Sequence, residues 1–418
     1  MAACGLDFGT SNTTLGIGVD GAFRLLPLDG ERVTLPSAVF FDFESGAVTV
    51  GQAAIDGYVS GVEGRLMRSI KSALGTGLIN ADTALRNGRI TFREVIAVFL
   101  RAVKARAEER HGGELRDVVL GRPVHFVDGD DAADAAAEQA LGEIAESLGF
   151  RNISFQYEPI AAALDYEQQV SGEELALIAD IGGGTSDFSV VRIGPDRRGC
   201  ADRSADILAN DGIRIGGTDF DRDLSLSTVM PLLGHGSPMS RPGLTAPKSP
   251  YLDLATWSKI NFLYTAKAMV ELRRLHRDSA APEQIERLIG VVEHRRGHAL
   301  AMEVERAKIR LSGAPDATLT LDWGEDCIDR PVDAAELNDA TISLAGRIGA
   351  RVRACLAEAG TPAERIDAVF LTGGSTQLPQ VRASILAELP GARLVEGNIF
   401  GSVGLGLTIE ADRRYGRA

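Results

Sequence analysis

Two stretches place an aspartate two residues ahead of a run of glycines and small hydroxyl residues, with apolar residues on either side. The first reads Gly5-Leu6-Asp7-Phe8-Gly9-Thr10-Ser11-Asn12-Thr13-Thr14-Leu15-Gly16, and the second reads Asp180-Ile181-Gly182-Gly183-Gly184-Thr185-Ser186-Asp187. Each pattern predicts strand, tight turn and strand. Successive backbone N–H groups in such a turn form a concave nest for phosphate oxygens, and glycine keeps a side chain from blocking the approach. Thr and Ser hydroxyls add donors. The flanking carboxylate repels phosphate but can hold the water shell of Mg²⁺, which keeps several of its waters. One copy alone reads most simply as a hairpin, because short glycine motifs often match by chance. Two copies with the same chemistry point to phosphate binding. They lie too far apart for a solenoid repeat and imply two related lobes.

Other motifs carry less. No Gly-x-x-x-x-Gly-Lys-[Ser/Thr] occurs, which argues against a P-loop. Gly16-Ile17-Gly18-Val19-Asp20-Gly21 fits Gly-x-Gly-x-x-Gly, but Phe23-Arg24-Leu25-Leu26 after it reads as a strand rather than the required helix. His294 and His298 stand four apart, with Arg295 and Arg296 between them and no third ligand evident, so a solvated basic face is the expectation. Arg273, Arg274, His276 and Arg277 read likewise as helix surface. Trp257, Phe262 and Tyr264 read as core packing.

The elements that must position the turns alternate. Leu115–Phe126 reads as a strand, Ala132–Gly149 as a helix with a glycine stop, and Val369-Phe370-Leu371-Thr372-Gly373-Gly374 as a buried strand followed by a helix over Leu378–Leu389. The class is α/β. Residues 36–105 hold short strands and a helix over Thr91–Arg110. Residues 213–311 are mostly helical, except that Pro238, Pro242, Pro247 and Pro250 break Gly234–Pro250.

With these elements in order, the chain resembles the nucleotide-binding half of the seventy-kilodalton heat-shock (DnaK-type) chaperones, members of the actin superfamily. The Asp7 and Asp180 turns look like its two phosphate loops. Leu371-Thr372-Gly373-Gly374-Ser375-Thr376-Gln377-Leu378-Pro379 resembles its adenosine motif, and Tyr157-Glu158-Pro159-Ile160-Ala161-Ala162-Ala163 its Glu-Pro-x-Ala-Ala-Ala segment. Val304-Glu305-Arg306-Ala307-Lys308 matches its nucleotide-clamping helix, and Gly216-Gly217-Thr218-Asp219-Phe220-Asp221 its Gly-Gly-x-Asp-Phe-Asp segment. The segment Leu252–Tyr264 is most similar to the YegD-type branch.

The resemblance implies an actin-like ATPase fold of two related lobes, each with an inserted subdomain, and a nucleotide cleft between them. Its boundaries would be 1–35 and 106–178 for the lobe I core and 36–105 for the lobe I upper subdomain. The lobe II core would hold 179–212 and 335–397, its upper subdomain 213–334, and a closing helix 398–418. It implies a slow ATPase using ATP/ADP and Mg, with Asp7 and Asp180 positioning the metal through water. Gly9, Thr10, Ser11, Asn12, Gly182, Gly183, Gly184 and Thr185 would cradle the phosphates. Lys71 would contact the γ-phosphate, and Glu158 and Asp187 would orient the attacking water, with Thr185 beside them. Glu305, Lys308, Ser312, Gly373, Gly374 and Ser375 would bind ribose and adenine, and Gly216 and Gly217 would also contact the cofactor. Two arginines that sandwich adenine in the family are replaced by Ile309 and Gln377. That motivates a second reading, a non-hydrolysing nucleotide sensor or scaffold. An actin-like filament protein and a small-molecule kinase complete the alternatives.

Composition narrows the partners. At 418 residues the chain is long enough for two or more domains. Its formal charge of −14 disfavours a nucleic-acid partner. Cys4, Cys200, Cys327 and Cys355 show no Cys-x-x-Cys spacing, which argues against a disulfide framework or a structural zinc. No apolar run approaches the roughly 18 residues a membrane span needs, and no signal-peptide pattern opens the chain, so a cytoplasmic, monomeric protein with an unidentified protein client is expected. With Ala418 as the last residue, no peptide-binding domain is expected.

Overall fold

The computed structural model describes residues 2–19, 21–127, 129–200, 202–322, 327–395 and 401–416. The first three of the closing-helix residues expected at 398–418 lie outside them, as do 417 and 418. In chain order, β1 (Ala2–Phe8), β2 (Asn12–Val19), β3 (Ala22–Leu25) and β4 (Leu35–Pro36) are followed by β5 (Ala38–Asp42), β6 (Val48–Val50), α1 (Gln52–Val59) and β7 (Gly64–Arg68). Then come β8 (Asp82–Leu85), β9 (Gly88–Thr91), α2 (Phe92–His111), β10 (Leu115–Arg122), α3 (Asp131–Ser147), β11 (Asn152–Tyr157) and α4 (Glu158–Glu167). The middle of the chain holds β12 (Glu174–Ile181), β13 (Ser186–Ile193), β14 (Ile207–Ile213), α5 (Gly217–Thr228), α6 (Ser249–Ala255), α7 (Ala266–Asp278), α8 (Pro282–Glu293) and α9 (Gly297–Leu311). It closes with β15 (Asp316–Asp322), β16 (Cys327–Asp333), α10 (Ala334–Glu358), β17 (Ala368–Thr372), α11 (Pro379–Leu386), β18 (Arg393–Val395) and α12 (Ser402–Tyr415).

The chain divides into two compact units. The first holds Met1–Ile213, Arg351–Gly374 and Glu388–Ala418. It contains a six-stranded and a five-stranded sheet that share a five-strand plan. One runs β11-β10-β1-β2-β3 and the other β18-β17-β12-β13-β14, with β4 added beside β2. In each, a glycine-turn hairpin supplies two antiparallel strands whose first member pairs in parallel with a later strand: β1 with β10, and β12 with β17. The sequence echo is therefore a topological repeat.

Alternation explains how β1 serves two cores. Cys4, Leu6 and Phe8 face one apolar cluster, where α2 packs Phe99 against Phe8 with ring centroids 5.9 Å apart. Helix α2 starts at Thr91, in a reciprocal capping box with Glu94, and ends at Gly112 with φ 77°. Its buried Val95, Phe99, Leu100, Val103 and Ala107 recur at helical spacing, each burial stabilising by about 1.5–3 kcal/mol for the larger side chains. On the opposite face of β1 lies α12. A Cβ on Gly5 would stand 2.3 Å from the Leu407 carbonyl carbon, and one on Gly406 would stand 1.8 Å from the Ala161 carbonyl oxygen of α4. Any side chain at either glycine would push α12 off the sheet or off α4.

The second unit holds Arg214–Ala350 and Ser375–Ala387, with α5–α9 and the β15–β16 hairpin. Helices α8 and α9 correct the reading of His294 and His298. Residues 294–296 form a turn, with Arg295 at φ 53°, so the two histidines do not share a helix face. His298 is buried, edge-on to Trp257 at 4.7 Å and 6.2 Å from Tyr264, whereas Phe262 is 66% exposed instead of packed. No helix among the described residues is long and apolar enough to cross a membrane. Cys4 and Cys355 are buried, Cys200 and Cys327 exposed, and all four are free thiols.

Candidate functional site

The two hairpin turns of the first unit face each other. A Cβ on Gly183 would come 2.2 Å from the Ser11 Oγ, so the second turn lies against the first. The first is fixed from below by Ser37. Its N–H donates to the Ser11 carbonyl at 2.9 Å, and its Oγ donates to the Gly9 carbonyl at 2.7 Å. Pairing of β4 with β2 delivers Ser37 to this place, and no spacing in the sequence marks it. The second turn closes on itself, the Gly182 N–H donating to the Thr185 carbonyl at 2.9 Å. Gly184, Thr185 and Asn12 are exposed, while Gly9, Thr10, Ser11 and Gly183 are half-buried.

Carboxylates collect beneath the turns. Asp7 stands at the end of β1. Asp180 and Asp187 face one another as register partners across β12 and β13, and Glu158 opens α4. Lys71 reaches them from a short 3₁₀ turn, Ile70–Ala73, entered through Ser69 at φ 55°. A serine in the left-handed region is uncommon and costs backbone strain, which the fold tolerates where it aims Lys71. The Lys71 Nζ donates to the Glu158 Oε1 at 2.6 Å, with the two side chains 9% and 17% exposed.

Electrostatics follow from this crowding. Burial, then Glu158 and Asp180, push the Asp7 carboxyl up to about 8, with Lys71 pulling the other way. Burial, Asp187 and Glu158 push Asp180 up to about 7, again opposed by Lys71. At Lys71 burial favours the neutral amine, but Glu158, Asp7 and Asp180 together outweigh it and hold the ammonium above its ordinary range. Several acidic oxygens thus share one buried cation.

This donor set suits a hard divalent ion held through water. Among the described residues no group of three or more acidic, His or Cys side chains could ligate a metal directly. A cavity of about 360 Å³ opens on the cluster, lined by Glu158, Asp180, Asp187, Asn210, Arg351 and Thr372 among others. Gly373 closes the end of β17 at φ 82°, where a Cβ would lie 2.4 Å from the Ile181 carbonyl and 2.6 Å from the Asp180 Oδ1. Only glycine lets that loop approach Asp180.

The remaining predicted residues lie elsewhere. Gly374 ends in the first unit, and Gly216, Gly217, Glu305, Lys308, Ser312 and Ser375 belong to the second. There the Gly216 N–H donates to the Asp219 carboxylate at 3.0 Å. The buried Lys308 Nζ pairs with the Asp221 Oδ1 at 2.8 Å and donates to the Gly217 carbonyl at 3.1 Å. Helix α9 is thereby tied to the start of α5, and the Ser312 Oγ donates back to the Lys308 carbonyl at 3.1 Å. Glu305 is half-buried, Ser375 buried, and Ile309 and Gln377 are exposed.

Comparison with known sequences agrees with this arrangement. Residues 3–229 and 289–396 match the family described as "Hsp70 protein". A chaperone protein HscA homolog from Methylibium petroleiphilum is 25% identical over the whole chain, and one from Delftia acidovorans is 24% identical. A third, from Laribacter hongkongensis, reaches 34% identity over 52% of the chain. The chain spans 59% of the length of the first two relatives. With the repeated sheets, the facing turns and a match across most of its length, the chain belongs to the Hsp70 family and has its actin-like ATPase fold.

Proposed function

We propose that this chain binds Mg-ATP and hydrolyses it slowly, as the nucleotide-dependent part of a chaperone-like protein. The observation that carries the reading is the buried Lys71 among Asp7, Asp180 and Glu158 beneath two facing glycine turns. Backbone amides and hydroxyls of Gly9–Asn12 and Gly183–Thr185 would hold the β- and γ-phosphates. The Lys71 ammonium would meet charge on the transferred γ-phosphoryl, and Glu158 and Asp187 would accept hydrogen bonds from the attacking water and orient it. Phosphoryl transfer needs mainly such positioning and charge neutralisation. Mg²⁺, held through water by Asp7 and Asp180, would supply further neutralisation of the phosphates. Within the first unit, Gly373 and Gly374 at the end of β17 would meet the nucleoside.

Lobe I would have a core of 1–35 and 106–178 with 36–105 as its upper subdomain, and lobe II a core of 179–212 and 335–397 with 213–334 as its upper subdomain. Nucleotide state would set lobe closure and, through it, a protein client. The relatives carry the name of chaperones, which supports a protein client over a small acceptor. The exposed Ile309 and Gln377 favour a second reading, a sensor that binds nucleotide without turnover. Phosphate release by the wild-type chain and by Asp187→Asn separates the two. Hydrolysis requires several turnovers by the wild type and at least about a tenfold loss in the variant. A wild-type chain that binds ATP but releases no phosphate leaves the sensor.

A further inference from the structure

A guanidinium outside every phosphate-site motif packs on the ring that also faces Lys71. Arg122 ends β10 and stands opposite Tyr157 in the parallel register with β11. Its guanidinium is 5.1 Å from the Tyr157 ring centroid and 5.5 Å from that of Phe126. On α3 it donates to the Asp134 Oδ2 at 2.6 Å and to the Glu138 carboxylate. It also donates to the carbonyls of Pro123 at 3.1 Å and Val124 at 3.2 Å, so the chain after β10 wraps around it. Asp134 accepts the Phe126 N–H as well, tying ring and guanidinium to one carboxylate. The Arg122 and Asp134 side chains are only 13% and 14% exposed. A planar fork that satisfies two carboxylates and two carbonyls while lying against two rings is work for arginine, which lysine cannot copy.

Both rings lead to the site. The Lys71 Nζ is 6.0 Å from the Phe126 centroid. Tyr157 is the residue before Glu158 and stands at the entry to α4. Each member of the 2.6 Å pair therefore adjoins a ring that Arg122 touches. We propose that Arg122, with Asp134, is the positioning residue for Lys71 and Glu158, acting through Phe126 and Tyr157. The inference rests on the ATPase reading, since it assigns Arg122 to the geometry of that site. Displacement of a reacting group by about 1 Å can cost about a hundredfold in rate.

The test uses the full chain and its Arg122→Lys variant, which keeps the charge and removes the fork. Three quantities are read: ATP affinity by calorimetry, single-turnover phosphate release, and the rate of Lys71 acetylation by acetic anhydride. Acetylation is measured by mass spectrometry against the buried Lys308 of the second unit. The expected result is ATP affinity within about threefold of wild type, release slowed at least about tenfold, and a Lys71/Lys308 labelling ratio raised at least about fivefold. An unchanged labelling ratio overturns the proposal whatever the release rate does. A uniform loss of affinity, release and both lysines' protection also overturns it, because that marks a purely structural arginine. If Arg122→Lys does not fold, Asp134→Asn is read in the same way. A wild-type chain that does not turn over defeats the ATPase reading alone; the labelling ratio still decides whether Arg122 positions Lys71.

Discussion

Lys71→Met should destabilise the first unit, and the damage should grow with pH. The ammonium is the partner of Glu158 at 2.6 Å and opposes the upward push on both Asp7 and Asp180. Removing one partner of a buried pair costs about 3–5 kcal/mol. The sign of the pH effect follows from the two raised carboxyls. Their folded pKa values, about 8 and about 7, lie above the ordinary 3.8, so the folded chain keeps protons that the unfolded chain has lost. Wild-type stability contributed by these groups is therefore full below about pH 4 and falls as pH rises through 7 and 8. Without Lys71 both values climb further and the fall steepens. At pH 9 the variant should lose the full 3–5 kcal/mol or so, and at pH 5 at least about 1.4 kcal/mol less, the equivalent of one pKa unit. Urea unfolding of both proteins in Mg-free buffer at the two pH values measures this. A loss equal at both, or larger at pH 5, refutes the shared-cation account.

Two further outcomes concern this site, and a third concerns the far end of α4. Mg-ATP binding should expel the protons on Asp7 and Asp180, releasing about one to one and a half at pH 7 and about a tenth at pH 9, read by calorimetry in buffers of different ionisation enthalpy. No buffer dependence at pH 7 would contradict it. Gly373→Ala forces a Cβ to within 2.6 Å of Asp180 at φ 82°, so ATP should bind at least about tenfold more weakly, the left-handed turn alone costing about 1–2 kcal/mol; unchanged affinity would show that the loop can move aside. At the far end of α4, Arg203 grips the fully buried Glu167 with bonds of 2.8 and 3.0 Å, so Arg203→Met should lower stability by about 3–5 kcal/mol in a urea titration, and a loss under about 1 kcal/mol would exclude a structural role.

The parts of this fold that are legible in sequence are those set by neighbours in the chain. The glycine turns, the strand after the Gly16–Gly21 decoy and helix α2 with its Thr91 cap all follow from local rules, and the structure has each of them. The topological repeat was legible because both copies keep an aspartate at the same place in the hairpin. What escaped depends on partners far apart. Ser37 reaches the first turn only because β4 pairs with β2. Arg122 meets Asp134 and Tyr157 only once β10, α3 and β11 are assembled. His298 read as surface because its neighbours are arginines, yet the turn at Arg295 rotates it inward between Trp257 and Tyr264. The strand expected to reach Phe126 stops at Arg122, where the guanidinium gathers the following carbonyls instead.

The most direct measurement is titration calorimetry of the purified chain with ATP, with and without Mg²⁺, with ADP and GTP alongside. Saturable ATP binding that strengthens with Mg²⁺ and weakens in Asp180→Asn is the predicted result. Absence of binding to any nucleotide, with Mg²⁺ present and the chain folded, would contradict the claim that the two turns and their buried lysine form a phosphate site.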